Sequence, residues 1–352
     1  MLKKLSQKKA NIKSFDLIDN LNIQNITRNV FYNHFVIDGK VELPSCINCE
    51  EKTCYKHNEN EINIKIFDSL PYNNDLRVCP VNAIEINEDS NINITDGCIS
   101  CGLCVQRCPI GGLYLDKENN FVATKYDFNA NLYYENNENL VSSTSVRNKI
   151  KTQINTDLII NENYLDTFYS KIEKKNTSTT DFELILTRNL LINVKIPNKV
   201  TAKGNNDSRV DLIGIVDEKY LLAEIDYKNN DNLSLIRKTL ENISLLENKY
   251  KILKKDKILP IIIINDLPNK RSDMYELLND IYNILNIKIY TLPLHFLLIS
   301  SLTNKKLILK SIEEFYINKS DSDFIQPVMN VFENVNEIDE YFKSKKKYKP
   351  LK

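Results

Sequence analysis

The stretch CISCGLCVQRCP, residues 98–109, decides the fold of the first part of this chain. Its cysteines recur at short intervals and are Cys98, Cys101, Cys104 and Cys108. Thiolates separated by two residues can both point into one concave loop, where backbone N–H groups also face the enclosed group. Gly102 helps that loop to close because it carries no side chain. The spacing is therefore typical of a loop that wraps a metal cluster.

The remaining cysteines lie just before this stretch and are Cys46, Cys49, Cys54 and Cys79. All 8 cysteines of the 352-residue chain thus fall between residues 46 and 108. A run of four cysteines with two, two and three intervening residues, followed by proline, holds a 4Fe–4S cluster in bacterial proteins, and its fourth thiolate reaches a second cluster. Iron–sulfur binding is the interpretation that this spacing favours.

Residues 35–124 resemble a bacterial dicluster ferredoxin, both in this run and in the sequence CPVNAI that begins at Cys79. The resemblance implies two 4Fe–4S clusters with crossed ligand sets. One set would be Cys46, Cys49, Cys54 and Cys108. The other set would be Cys98, Cys101, Cys104 and Cys79. The first half departs from the family pattern, because four residues separate Cys49 from Cys54 and residues 55–78 are inserted before Cys79.

Two other uses of cysteine compete with a cluster. Disulfides need an oxidising compartment, but the N-terminus has lysines and asparagines where a secretory signal would need an apolar run. Structural zinc also uses paired cysteines, but two sites that each take a distant Cys-Pro ligand fit zinc poorly. We therefore expect a cytoplasmic iron–sulfur protein.

The composition leaves room for a second core and gives no global charge signal. Hydrophobic residues make up 42% of the chain, and Lys plus Arg equals Asp plus Glu at 47 each. No apolar stretch is long enough to span a bilayer, so no membrane partner is expected. Lysine clusters at both ends are usually solvated tails, although they can also contact a phosphate backbone.

The chain after residue 180 follows a regular pattern of elements. A helix is predicted from Asp181, and strands are predicted at residues 194–202, 209–216 and 219–227, the middle one almost continuously apolar. A helix over residues 232–251 follows, with apolar residues at three-to-four spacing, namely Leu233, Ile236, Leu240, Ile243, Leu246 and Tyr250. The last predicted elements are a strand (258–264), a helix (272–285) and a strand (287–292). Residues 331–342 are predicted to form a further amphipathic helix.

This order of elements resembles the restriction-endonuclease-like fold of the PD-(D/E)xK nuclease superfamily, over residues 181–301. The resemblance implies a metal-dependent phosphodiesterase that cleaves nucleic acid, usually DNA, with Mg²⁺ or Mn²⁺. Its metal ligands would be Asp211, Glu224 and Asp226, and Lys228 would be the catalytic cation. Two alignments with the (D/E)xK motif stay open. In one, the motif is Asp226-Tyr227-Lys228. In the other, it begins at Glu224, and Asp226 occupies the position expected to hold lysine. Glu183 and Lys238 are weaker candidates for supporting roles.

The alternation of side chains along a strand places Glu224, Asp226 and Lys228 on one face. A two-residue turn at residues 217–218 would set Asp211 directly opposite Glu224, and a four-residue turn would set it opposite Asp226. Cross-strand neighbours have Cβ atoms about 5 Å apart, close enough for two carboxylates to share a cation. The competing interpretation is that these charges are only the solvated face of an edge strand.

The expected fold class is α/β plus α+β, with a ferredoxin-like dicluster domain followed by a restriction-endonuclease-like αβββαβ core and extra C-terminal helices. Five segments are expected: an N-terminal arm (1–34), the dicluster domain (35–125), a linker with one helix (126–178), the nuclease-like domain (179–305), and C-terminal helices with a basic tail (306–352). Protein partner subunits are also possible.

Two functions follow from this organisation. In one, a nuclease carries an iron–sulfur module that senses redox state or braces the fold, which would suit a prokaryotic defence effector. In the other, the clusters transfer electrons, and the nuclease-like domain is a non-catalytic docking module. Histidine catalysis is not expected, because the chain has only three histidines and none lies in a metal or nucleophile motif. Thiol catalysis is not expected either, because no cysteine lies beyond residue 108.

Overall fold

The computed structural model describes residues 3–4, 35–37, 40–42, 52–65, 68–88, 92–108, 113–116, 121–124, 132–133, 162–175, 181–202, 210–228, 232–249, 255–265, 267–268, 272–302, 305–316 and 331. The chain divides into two compact units. Unit 1 comprises Met1–His57 and Arg77–Ile172, and unit 2 comprises Asn58–Leu76 and Glu173–Lys352. Cys46, Cys49 and the helix predicted at residues 331–342, except Val331, lie outside the described residues.

The described strands are β1 (Lys3–Lys4), β2 (Phe35–Ile37), β3 (Lys40–Glu42), β4 (Ile84–Ile86), β5 (Ile92–Ile94), β6 (Leu113–Asp116), β7 (Phe121–Thr124), β8 (Leu132–Tyr133), β9 (Asn198–Val200), β10 (Leu212–Val216), β11 (Lys219–Asp226), β12 (Ile258–Ile264) and β13 (Tyr290–Pro293). The described α-helices are α1 (Glu59–Ile62), α2 (Leu103–Arg107), α3 (Glu162–Lys175), α4 (Asp181–Asn193), α5 (Asn232–Lys249), α6 (Asp273–Leu285), α7 (Leu294–Leu302) and α8 (Leu309–Glu313). Within these residues, no helix has both the length and the apolar character needed to cross a membrane.

Unit 1 is built from short antiparallel strands. Its sheets are β1-β2-β3-β8, the hairpin β4-β5 and the hairpin β6-β7. The cysteine run occupies the loop between β5 and α2 together with α2 itself, and Leu103, Cys104 and Val105 of that helix are buried. In sequence, the β4-β5 hairpin therefore precedes the cysteine run of residues 98–108, and the β6-β7 hairpin follows it.

Unit 2 is built around a five-stranded mixed sheet in the order β13-β12-β11-β10-β9. Strands β9, β10 and β11 form an antiparallel meander, and β12 and β13 run parallel to β11. All seven residues of β12 are buried, as expected of a parallel strand covered on both faces. Strand β11 is the central strand, so its charged residues do not line a solvated edge, and that competing interpretation is wrong.

Helices cover both faces of this sheet. On the face that carries Leu222 of β11, the core includes Ile243 and Leu246 of α5. On the opposite face, the hydroxyl of Tyr227 hydrogen-bonds with that of Thr187 on α4. Every residue of α7 is buried, which explains why its sequence shows no polar stripe.

The predicted order of helix, three strands, helix, strand, helix and strand is found in unit 2. The bounds of two strands were predicted wrongly. Residues 194–196 end helix α4 through bonds from their N–H groups to the carbonyls of Leu190, Ile192 and Leu191, so β9 begins only at Asn198. The last strand begins at Tyr290 and ends at Pro293, where α7 starts. In α5, Leu233 is exposed, although the apolar pattern placed it on the buried stripe.

The segment inserted between Cys54 and Cys79 belongs largely to unit 2. Residues Ile64 and Leu70 lie in the core cluster that also contains Ile213 and Leu222. Backbone bonds connect Asn73 N–H to the Val200 carbonyl and Ala202 N–H to the Pro71 carbonyl. The described residues of this segment therefore pack against the β9 edge of the sheet, whereas the sequence pattern assigned residues 58–76 to the cysteine-rich domain.

Candidate functional site

The candidate catalytic site of unit 2 is built on the β10-β11 pair. The two-residue turn at residues 217–218 pairs Val216 with Lys219, and the register continues to the pair Leu212 and Ala223. The next position sets Asp211 opposite Glu224, as the even-length turn predicts. Asp217 adopts the positive φ of 50° that this tight turn requires.

Each carboxylate of this pair is held by a specific donor. The backbone N–H of Ile225 donates to Oδ2 of Asp211 over 2.9 Å. Nδ2 of Asn242, on α5, donates to Oε1 of Glu224 over 2.6 Å. Glu224 is only 1% exposed, so its carboxyl group is almost completely removed from water.

Both carboxyl groups have raised pKa values, and burial is the largest cause for each. Burial raises the pKa of Asp211 to about 6, while the Ile225 N–H and the Lys238 ammonium act to lower it. Burial and the neighbouring charge of Asp211 raise the pKa of Glu224 to about 9, although Asn242 and Lys238 favour its ionised form. The pair therefore retains a proton at neutral pH unless another positive charge enters the site.

Two further acids lie at the margin of the pair. Oδ1 of Asp226 accepts a hydrogen bond of 2.7 Å from the backbone N–H of Lys228. Oε2 of Glu183, at the start of α4, accepts from the backbone N–H of Tyr227 over 3.3 Å. Burial raises the pKa of Glu183, and the charges of Asp226 and Asp211 add to that increase. Within the described residues, no three His, Cys, Asp or Glu side chains already converge as a metal-binding group.

Asn242 and Lys238 complete the site from helix α5. Asn242 was not identified from the sequence, although it is a polar residue on the buried stripe formed by Leu235, Thr239 and Leu246. A polar residue inside an apolar stripe is the signal that could have identified it, because a buried amide needs a partner. The side chains of Lys228 and Lys238 are both exposed.

A cavity of about 570 Å³ opens elsewhere in unit 2. Its lining includes Lys219, Ile258 and Tyr290, which are the first residues of β11, β12 and β13. This end is opposite to that of Glu224 and Asp226. Since ligands of parallel α/β sheets bind at the carboxyl ends of the strands, we place the candidate site at the acids and not at this larger cavity.

The second candidate site lies in unit 1 and is formed by cysteines. A small cavity is lined by Cys79, Cys98, Cys101 and Cys104, together with apolar residues of the β4-β5 hairpin and α2. The backbone N–H of Ala83 donates to Sγ of Cys79 over 3.1 Å, and the N–H of Ser100 donates to Sγ of Cys98 over 3.4 Å. Positive φ angles at Asn82, Ser100 and Gly102 turn these loops around the cavity.

The pKa values of Cys79, Cys101 and Cys104 are raised by burial and by the neighbouring thiols. Burial raises the pKa of Cys104 far above its ordinary value, and the charges of Cys101, Cys98 and Cys79 raise it further. Burial also raises the pKa values of Cys101 and Cys79. Because neighbouring negative charges oppose ionisation, the four thiols that line this cavity would ionise together only when a cation is bound.

Cys54 and Cys108, expected in the other ligand set, are also buried. Their chain neighbours bond reciprocally: the Thr53 hydroxyl donates to the Arg107 carbonyl over 2.7 Å, and Nε of Arg107 donates to the Thr53 carbonyl over 3.0 Å. These bonds connect the segment of Cys54 to that of Cys108. Cys46 and Cys49, the other members of this set, lie outside the described residues.

Comparison of the chain with protein-family models, curated proteins and solved structures finds no match.

Proposed function

We propose that unit 2 is a metal-dependent nuclease that cleaves nucleic acid, with DNA as the favoured substrate, and that unit 1 is an iron–sulfur module. The observation that carries the nuclease proposal is the position of Asp211, one residue before β10, beside Glu224 on the central strand β11. The order of elements around the pair supports the resemblance to the restriction-endonuclease-like fold.

The donor set fits a hard divalent cation. Carboxylate oxygens of Asp211 and Glu224 are the ligands that Mg²⁺ and Mn²⁺ prefer, with Asp226 as a third candidate. A cation would also offset the cost of ionising these buried carboxyl groups, which burial raises in pKa, and the repulsion that Asp211 exerts on Glu224. When bound, Mg²⁺ or Mn²⁺ would polarise the scissile phosphodiester and lower the pKa of a water molecule.

The other residues of the site have separate roles in this proposal. Asn242 fixes the carboxylate of Glu224, and the Ile225 N–H fixes that of Asp211. Lys238 favours the ionised form of both acids. Lys228 follows the end of β11 and is exposed, so its ammonium group can stabilise charge that develops on a phosphate oxygen.

The residues of unit 1 fit a 4Fe–4S cluster. Four thiols line one cavity, and backbone N–H groups bond to two of the sulfur atoms. Cys79, Cys98, Cys101 and Cys104 are the set that the ferredoxin resemblance implies for one cluster. When bound, such a cluster would carry one electron at a time or brace the loops that hold it.

The burial of Glu224 favours a second candidate function. A carboxyl group that is 1% exposed and hydrogen-bonded to Asn242 can be a structural residue that stays protonated. Unit 1 would then be the functional part, an electron carrier, and unit 2 would bind a redox partner.

A cleavage assay separates the two functions. Anaerobically purified full-length protein is incubated with supercoiled plasmid and Mg²⁺ or Mn²⁺, alongside Asp211→Ala, Glu224→Ala and a control, Glu247→Ala, at an exposed residue of the same unit. Cleavage by the wild type and the control but not by the site variants supports the nuclease. Intact plasmid with every metal, together with reversible reduction of the clusters, supports the electron carrier. Cleavage that survives both site substitutions would show that the site is elsewhere.

A further inference from the structure

Lysine 171 connects helix α3 to the cysteine loop of unit 1. Its Nζ donates a hydrogen bond of 2.8 Å to Oγ of Ser100, which lies between Cys98 and Cys101. Ser100 is fully buried and has a φ of 61°. The chain thus brings a lysine from far outside the ferredoxin-like sequence to the loop that surrounds the four-thiol cavity.

The lysine is held in place by its own helix. Phe168 and Ile172, one turn before it and one residue after it, are both fully buried, so α3 is anchored on each side of Lys171. The side chain of Lys171 is itself partly buried. Within the described residues Lys171 has no salt bridge, so no carboxylate neutralises its charge there.

Ser100 links the ammonium group of Lys171 to the sulfur atom of Cys98. Its backbone N–H donates to Sγ of Cys98, and its side chain accepts from the ammonium group. Lys171 therefore lies within a short hydrogen-bonded path of a thiolate. A positive charge in a partly buried site is screened less than one at the surface, so its field reaches the cavity.

We propose that Lys171 raises the reduction potential of the cluster held by Cys79, Cys98, Cys101 and Cys104. The inference rests on the proposed iron–sulfur function of unit 1. In the reduction step, one electron passes from a low-potential one-electron donor to the cluster, no bond forms or breaks, and the cluster becomes more negative by one charge. The ammonium group stabilises the more negative, reduced form. Charge near the cluster and hydrogen bonds to its sulfurs are recognised determinants of such potentials.

The test is an anaerobic redox titration of the full-length holoprotein, monitored by electron paramagnetic resonance with dithionite as the reductant. Lys171→Gln removes the charge, Lys171→Arg keeps it, and Lys174→Gln removes an exposed charge from the same helix. The titration should show one reduction step for each of the two proposed clusters. In one of these steps, we expect Lys171→Gln to favour the oxidised cluster about tenfold, which corresponds to a reduction potential lower by about 59 mV. The Arg variant and the Lys174 control should stay close to the wild type.

The outcomes separate the inference from the function on which it rests. Intact clusters with an unchanged potential in Lys171→Gln would overturn the role of Lys171 alone. Wild-type protein without iron and sulfide would overturn the cluster proposal and this inference with it. Lys171→Met, which keeps the apolar stem, replaces the Gln variant if the latter does not hold its cluster. An equal shift in Lys171→Gln and Lys174→Gln would also contradict the inference, because it would show an effect of net charge only.

Discussion

Asn242 on helix α5 donates from Nδ2 to Oε1 of Glu224 on strand β11, over 2.6 Å and in a buried environment. This bond joins the helix to the central strand at the point where two carboxylates face each other. It makes Asn242 a positioning residue, whose effect on activity would act through Glu224.

Substitution of Asn242 by leucine should lower the rate of DNA cleavage about 10- to 100-fold, because the carboxylate of Glu224 loses the donor that orients it. The same change should destabilise unit 2 by about 1–3 kcal/mol, since a buried acceptor loses its partner. Cleavage kinetics and urea denaturation measure the two effects. Ser244→Ala, at an exposed position of the same helix, is the control and should change neither. Unchanged kinetics in Asn242→Leu would remove Asn242 from the site.

The metal-free protein should become less stable as the pH rises from about 4 to about 9. Both carboxyl groups have raised pKa values in the folded state, about 6 for Asp211 and about 9 for Glu224, against ordinary values of 3.8 and 4.5. Within this window the folded chain binds more protons than the unfolded chain. For each extra proton bound, the free energy of unfolding falls by about 1.4 kcal/mol for every unit by which the pH rises. Above about pH 9 the stabilisation by this carboxyl pair is lost.

Hydrogen exchange of the β11 amides at pH 5, 7 and 9 measures this dependence, after correction for the intrinsic exchange rate. Glu224→Gln should flatten the dependence, because glutamine does not titrate. Addition of Mn²⁺ should restore protection at high pH if the cation binds the ionised pair. A slope of the same size in Glu224→Gln would assign the effect to other groups.

Lys238 and Arg237 are adjacent on α5, and both are exposed, so together they form a matched pair. Of these two cations, Lys238 lowers the pKa values of Asp211 and Glu224, whereas Arg237 has no such effect. We expect Lys238→Gln to reduce cleavage about tenfold at low ionic strength, and Arg237→Gln to reduce it less than about twofold. The difference should shrink at high salt, because exposed charges are screened. Equal losses in both variants would indicate a general contribution of positive charge to nucleic-acid binding instead.

The segment inserted between the cysteine groups should contribute to the stability of unit 2 through Arg188. This side chain is fully buried, and its Nη1 donates to the carbonyl of Asp75 over 2.7 Å. Arg188→Met should therefore destabilise unit 2 by about 3 kcal/mol. Arg237→Met, at an exposed position, should stay within about 0.5 kcal/mol of the wild type. Denaturant unfolding compares the two, and equal stability would show that the segment is not anchored by this bond.

Cys104→Ser should remove roughly half of the iron and acid-labile sulfide from the anaerobically purified protein, because one of the two proposed clusters would lose a ligand. Chemical iron, sulfide and zinc analysis provides the measurement, with the wild type in parallel. A protein that contains zinc and no sulfide would instead support the zinc interpretation of the cysteine pairs. Disulfides would appear as a loss of free thiols without either metal.

Much of unit 2 could be predicted because its elements follow their own local rules. The apolar run at residues 258–264 and the helical spacing before it fix β12 and α5, and the even turn at residues 217–218 fixes the register of Asp211 against Glu224. The burial of Glu224 could not be predicted, since alternation along a strand does not reveal whether the strand is central or at an edge.

Other features depended on contacts that are distant in sequence. Helix α7 is buried on every side, so its sequence lacks the alternation of polar and apolar residues that indicates a helix. Its helical structure therefore was not predicted. The hydrogen bond from Lys171 to Ser100 joins residues 71 positions apart, which no local pattern encodes. The ferredoxin resemblance, in contrast, implied a set of Cys79, Cys98, Cys101 and Cys104, and these four thiols line one cavity.

In the proposed nuclease, Asp211 and Glu224 together bind a divalent cation. Isothermal titration of Mn²⁺ into the full-length protein at pH 7.5 tests this binding directly, with Asp211→Asn, Glu224→Gln and the exposed control Glu247→Gln. We predict saturable binding to the wild type and to the control, weakened at least about tenfold by either site substitution. Equal Mn²⁺ binding by all four proteins, or none by the wild type, would contradict the claim.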